Sequence, residues 1–270
     1  MLVIGLTGGI ASGKSTVSGL LSSKHNLPII DADYLARAVI LPGTRGYKAI
    51  VSHFGNQVLK PDGVTLDRQA ISDIVFNDER ERKVLNSIVH PAVRRAMVWE
   101  VVKCWLSGQW ACVLDVPLLI EAGLWRWVGE VVVVYVNEPL QLARLKARPS
   151  PNPNERPLST SQALSRIKAQ MPLTEKLTYA DHVLDNSGTE NDLQVQVDSL
   201  VNKWEKQSAG WTQKLYWLVP PLGLWAAFVT VGVRWLKHNR KLANKRRGRG
   251  ENATVNSTPI HGEEVEMRTR

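Results

Sequence analysis

Leu2-Val3-Ile4-Gly5-Leu6-Thr7-Gly8-Gly9-Ile10-Ala11-Ser12-Gly13-Lys14-Ser15-Thr16 decides the fold. Leu2 to Leu6 is a short apolar run of the kind a buried strand makes, and Thr16-Val17-Ser18-Gly19-Leu20-Leu21 opens a helix. Between them Gly8 to Ser15 fits the phosphate-loop pattern of two glycines with four residues between them, followed by Lys and Ser. Strand, glycine loop and helix in that order aim backbone N–H groups at an anion held on the helix N-terminus. Gly8 and Gly13 permit the backbone geometry and a close phosphate approach. Lys14 brings a cation to the β- and γ-phosphates, and Ser15 offers its hydroxyl to Mg²⁺. Gly8, Gly9, Ile10, Ala11, Ser12, Gly13, Lys14, Ser15 and Thr16 are therefore assigned to a nucleoside triphosphate.

Outward from that loop the chain alternates strands with helices. Leu27-Pro28-Ile29-Ile30 reads as a second strand leading into Asp31-Ala32-Asp33. From about Ala32 to Trp105 the pattern is mostly helical, with turns at Pro42-Gly43 and Pro61-Asp62-Gly63. His90-Pro91 predicts a break in the long helix between Asp78 and Leu106, because proline disfavours helix at the residue before it. Ala111 to Asp115 and Glu130 to Val136 are unalternating apolar runs, the sign of strands buried on both faces. Helix is predicted over Leu140–Ala147, Thr160–Gln170 and Asp192–Lys206, with a last strand at His182–Leu184 and an irregular loop over Pro149–Pro157. This is an α/β pattern: a parallel sheet flanked by helices in a phosphate-loop kinase fold.

Composition bounds the rest. At 270 residues the chain is one domain with an appendage, and its net charge of +9 is unevenly placed. From Arg234 onward ten Lys/Arg face four Glu, so that stretch holds +6 and the preceding residues only +3. The nearly neutral first part gives no reason to expect nucleic acid as a partner. Cys104 and Cys112 are expected to be inert core thiols in a reducing compartment, and the first strand starts too early to leave room for a leader. Residues 215–233 are uncharged, and as a helix they would span about 28 Å at roughly 1.5 Å per residue. Trp211, Trp217 and Trp235 sit near the ends as interfacial aromatics do, which predicts a membrane anchor over 211–235. Pro220-Pro221 leaves a helix packed on the domain as the other reading. A basic tail over 236–270 is expected to be disordered.

The chemistry-bearing residues gather at strand ends. Asp31 and Asp33 leave the second strand at the edge where parallel sheets bind ligands; one of them suits the proton of an attacking hydroxyl, the other a helix cap. Asp115 ends another strand at that edge and suits Mg²⁺ through water. His90 either contacts substrate or orients the helix break. Arg144, Arg148, Arg156 and Arg166 surround the proline-rich loop, where a lid neutralises charge on a migrating phosphoryl group. Asn186-Ser187-Gly188 follows the last strand, where a loop touches a base.

Several of these stretches together resemble one known family. The phosphate loop from Leu6, Ile30-Asp31-Ala32-Asp33-Tyr34-Leu35-Ala36-Arg37 and Leu85-Asn86-Ser87-Ile88-Val89-His90-Pro91 are similar to dephospho-CoA kinase. So are Asp115-Val116-Pro117-Leu118-Leu119-Ile120-Glu121, Arg166-Ile167-Lys168-Ala169-Gln170 and Ala180 to Gly188. The resemblance covers about residues 1–205 and implies ATP- and Mg²⁺-dependent phosphorylation of the ribose 3′-hydroxyl of dephospho-CoA. It further implies Asp33 as general base, Lys14 and the loop as ATP site, and Arg37, His90 and Glu121 on the acceptor side. Arg144 and Arg148 then belong to the lid over 142–172, residues 32–106 form a helical acceptor-binding subdomain within a kinase domain of 1–206, and Asn186 lies near the adenine. Arg148-Pro149 and the prolines up to Pro157 depart from the family's pattern, and the resemblance says nothing of residues beyond about 205. Two other readings stand beside it: a different small-hydroxyl kinase of the same fold, and a silent nucleotide-binding scaffold at a membrane.

Overall fold

The structure, a computed structural model, describes residues 1–148 and 158–208. Its centre is a five-stranded sheet of β1 (Leu2–Gly8), β2 (Ile29–Asp31), β3 (Ala111–Asp115), β4 (Glu130–Tyr135) and β5 (His182–Asp185). Spatial order is β2-β3-β1-β4-β5, and every pairing is parallel, as the apolar runs predict. The chain leaves β1 toward β2 on one side and later crosses from β3 to β4 on the other, so the strand order reverses around β1. That reversal opens a crevice at the carboxyl ends of the strands, the place where ligands bind in such sheets.

Both faces of the sheet's central strands are covered, which is why β3 and β4 are apolar without alternation. On one face Ile4, Leu6, Val113, Val132 and Val134 pack against α1 (Lys14–Ser23) and α9 (Glu190–Ser208), where Trp204 is fully buried. On the other, Cys112, Leu114, Val131 and Val133 meet Leu35 of α2 (Ala32–Ala38) and Met97 of α5 (Glu79–Leu106). A separate cluster of Ile50, Phe54, Val58, Leu66 and Ile71 is built from α3 (Arg45–Phe54), α4 (Arg68–Asn77) and the start of α5. It gives the helical stretch after β2 a small core of its own. Pro61-Asp62-Gly63 makes the predicted turn, with the Asp62 carboxylate accepting the Val64 and Thr65 N–H groups at 2.9 and 2.8 Å.

One element departs from expectation. α5 runs unbroken through His90 and Pro91 for 28 residues. Proline costs a helix interior about 3 kcal/mol through its missing donor and its ring clash. Here Leu85, Ile88 and Val89 pack into the helical cluster, while Val93, Ala96 and Met97 pack under the sheet. Buried contact on both sides of Pro91 outweighs the local penalty. Beyond β4 come α6 (Glu138–Ala147), α7 (Thr160–Lys168) and the one-turn α8 (Leu173–Lys176), the last without a counterpart in the sequence reading. No helix among the described residues is long and apolar enough to cross a membrane. The proline-rich loop, Arg156, the apolar segment 215–233 and the basic tail lie outside the described residues.

Candidate active site

The phosphate loop sits at the carboxyl end of the central strand. Ala11 and Gly13 have φ of 59° and 90°, left-handed conformations that curl the backbone of the loop, and the Ser12 N–H donates to the Gly9 carbonyl at 3.1 Å. Gly13 is the N-cap of α1 and brings no side chain to cap it, so the first N–H groups of that ten-residue helix are left for a ligand. A side chain at Gly13 would collide with the Asn186 amide, which donates to the Ser12 carbonyl at 2.9 Å. Asn186 thus braces the loop from below. The Ser12 hydroxyl is buried inside the loop with no partner among the described residues.

Two glutamines clip the tip of the loop to the elements that follow β4. Gln141 of α6, buried, donates to the Ile10 carbonyl at 2.8 Å. The Ile10 N–H in turn donates to the Gln170 side chain at 3.0 Å. Sequence reasoning missed both; a polar residue on the inner face of α6, beside Leu145, is the signal that marked Gln141.

Carboxylates line the same edge. Register pairs Asp31 with Asp115 across β2 and β3. The Asp31 carboxylate caps α2, accepting the Asp33 and Tyr34 N–H groups at 2.8 and 3.0 Å. Asp33, two residues on, is exposed and its carboxylate has no partner among the described residues. So the capping reading holds for Asp31, and Asp33 is the carboxylate left available. Asp115 is buried and pairs with the Lys14 ammonium. Burial pushes its carboxyl above the usual carboxylate range, against the opposing pull of Lys14. Ser15 is exposed on the first turn of α1 beside that pair. Its hydroxyl and Asp115 are hard oxygen donors of the kind Mg²⁺ takes while keeping most of its water.

Arg144 lies on α6 with its Nη1 buried and without a hydrogen-bond partner among the described residues. A buried guanidinium nitrogen left open is a poor structural solution and a good anion ligand. Arg148 ends α6 and is exposed, as are Arg166 on α7, Arg37 on α2 and His90 on α5. Arg37 and His90 lie on helices that pack against each other below the second strand. Because α5 is continuous, His90 does not orient a helix break. Glu121, in the loop after β3, accepts the Met171 N–H at 3.3 Å and pairs with Lys176 at 2.9 Å.

This arrangement has close counterparts among known proteins. The family model for dephospho-CoA kinase matches residues 2–192. A dephospho-CoA kinase of Geobacillus kaustophilus is 47% identical over 204 residues, covering 76% of this chain and 97% of its own. One from Saccharomyces cerevisiae is 41% identical over 249 residues, 91% of this chain and 98% of its own. Among solved structures, a dephospho-CoA kinase from Campylobacter jejuni superposes with a TM-score of 0.58 at 26% identity, covering 76% of this chain and 98% of that one. A Thermus thermophilus crystal structure gives a TM-score of 0.62 at 31% identity, covering 75% and 97%.

Proposed function

Because the chain belongs to the dephospho-CoA kinase family, we propose that it transfers the γ-phosphoryl group of ATP to the ribose 3′-hydroxyl of dephospho-CoA, giving CoA and ADP. The observation that carries this reading is the available Asp33 carboxylate at the same sheet edge as the uncapped phosphate loop. A hydroxyl nucleophile must lose its proton as phosphorus is attacked, and a positioned carboxylate takes it. Lys14 exchanges its contact with Asp115 for the β/γ-phosphate oxygens when ATP enters, and the backbone N–H groups at the start of α1 line the phosphates. Mg²⁺, when bound, would neutralise phosphate charge; Ser15, and through water the freed Asp115 carboxylate, would hold it. Arg144 and Arg148 bear on the migrating phosphoryl group, where charge spreads over the equatorial oxygens. Arg37, His90 and Glu121 serve the acceptor, and Asn186 borders the adenine while bracing the loop.

The test uses the full chain with ATP, Mg²⁺ and dephospho-CoA, monitored for CoA. Production of CoA at a turnover of about 1–100 s⁻¹ is expected for a kinase of this kind. ATP binding without CoA formation supports the silent scaffold instead, and transfer to another small hydroxyl supports a different kinase.

A membrane tether is the second part of this reading. The uncharged 215–233 segment, the tryptophans near its ends and the cations after Leu236 favour it. The yeast relative aligns over 91% of this chain, more than residues 1–208 supply, so part of the C-terminal region is shared with it. The kinase domain then faces cytosolic ATP, from the endoplasmic reticulum or the mitochondrial outer membrane. Full-length protein that stays in the membrane pellet after carbonate extraction supports the tether; complete release into the supernatant removes it.

A further inference from the structure

Lys176 ends α8 and is completely buried. A buried ammonium must place each of its three N–H donors on an acceptor or suffer the cost of dehydration. Three acceptors surround this one: the Gly8 carbonyl at 3.4 Å, the Pro117 carbonyl at 3.1 Å and a Glu121 carboxylate oxygen at 2.9 Å. They belong to two separate functional segments. Gly8 is the first residue of the phosphate loop, whereas Pro117 and Glu121 lie in the loop after β3 that runs to the acceptor side.

The surroundings make the same connection. Thr7, next to Gly8, donates its hydroxyl to the Pro117 carbonyl at 2.8 Å. The Met171 N–H donates to Glu121 at 3.3 Å, and Gln170 holds the Ile10 N–H at 3.0 Å. Leu173 packs on the open side of Gly9. Residues 170–176 therefore form a clasp, entered directly from α7, that grips the phosphate loop with one hand and the acceptor-side loop with the other. Replacing Lys176 alone would leave the Glu121 carboxylate and the Gly8 carbonyl without this donor, so the ammonium ties the two segments to each other.

We propose that Lys176 is a positioning residue that fixes the 116–121 loop to the phosphate loop and so sets the acceptor's distance from the γ-phosphate. The inference rests on the kinase reading above and on Glu121 facing the acceptor. In-line transfer is sensitive to misplacement of about 1 Å, which can cost roughly a hundredfold in rate. The N–H groups that face the phosphates are not among the ammonium's contacts, so nucleotide affinity depends on it little.

The experiment compares Lys176→Met, Glu121→Asp and the double variant in the full chain, below their measured melting temperatures. For Lys176→Met, kcat/KM for dephospho-CoA is expected to fall at least about tenfold while the Kd for ATP stays within about threefold. Glu121→Asp keeps the charge but draws the carboxylate back from the ammonium, and it is expected to lower kcat/KM in the same sense. The double variant is expected to be no worse than the more damaged single one, because both changes release the same contact. A lower melting temperature with unchanged kcat/KM overturns the proposal, as does an equal loss in ATP affinity, or additive losses in the double variant. Should Lys176→Met fail to fold, Glu121→Asp decides: unchanged kcat/KM then overturns the proposal. Failure of the kinase reading itself is distinguishable, since the parent protein would make no CoA.

Discussion

The two aspartates that leave β2 are chemically alike, yet the backbone commits only one of them. Asp31 is tied to the Asp33 and Tyr34 N–H groups as the cap of α2, whereas the Asp33 carboxylate has no partner among the described residues. Asp33→Asn is therefore expected to lower kcat by about 10²–10⁴-fold while the Kd for ATP changes only a few-fold, since a general base acts in the transition state. Isothermal titration with ATP beside steady-state turnover checks both halves; a variant keeping a third or more of parental kcat removes Asp33 from that role. Arg144 is argued differently. Its Nη1 is buried without a partner among the described residues, and charge on a phosphoryl group in flight is greatest midway. Arg144→Ala is expected to reduce kcat far more than it raises KM for either substrate. Equal reduction of kcat/KM through KM alone would make it a ground-state ligand. The phosphate loop and these strand-end acids were legible because their chemistry depends on local spacing. Gln141, Gln170 and Lys176 were not: their partners lie 131, 160 and up to 168 residues away, and only the place of Gln141 one turn before Leu145 gives a local sign.

Among the elements, β3 was legible residue for residue, because a strand buried on both faces admits only apolar side chains. α5 was not, because the rule for a residue before proline is local and the forces that override it are tertiary. Pro91 is exposed, so its ring packs no core, and it removes the donor that would reach the Ser87 carbonyl. Pro91→Ala is expected to stabilise the protein. The regained hydrogen bond and relief of the ring clash exceed the roughly 0.4–1 kcal/mol that proline contributes by restricting the unfolded chain. Each kcal/mol gained raises the melting temperature of a domain this size by about 2–4 °C, which differential scanning calorimetry resolves. A lower melting temperature would mean that the two ends of α5 need the geometry proline imposes to reach their separate clusters.

For the molecule as a whole, the sheet divides the interior into two cores, and Cys112 lies in the one between β3 and α5. Sequence composition marked both cysteines as unreactive core residues, and both are free thiols here. Burial pushes the Cys112 thiol up to about 12, and it raises Cys104 as well. The sign of the resulting pH dependence follows. In the unfolded chain the Cys112 thiol ionises near its ordinary value of 9.0, while in the native core it keeps its proton. Unfolding therefore releases a proton above that pH, and alkali favours the unfolded state. The contribution is intact below about pH 9 and is lost progressively as pH climbs toward about 12. Urea midpoints measured at pH 8 and pH 10.5 are expected to fall more steeply for Cys104→Ser, which retains Cys112, than for a variant that also carries Cys112→Ala. The alanine costs stability at every pH through the space it leaves, so the decisive quantity is the slope with pH and not the midpoint itself. Identical slopes would show that Cys112 ionises freely in the native protein. Ellman's reagent at pH 8 gives the kinetic side of the same argument. Cys112 in Cys104→Ser is expected to react only as fast as the domain opens, and ATP with dephospho-CoA should slow it by stabilising the folded form. Labelling at the rate of a free thiol, with or without ligands, would mean that the core beneath β3 opens without global unfolding.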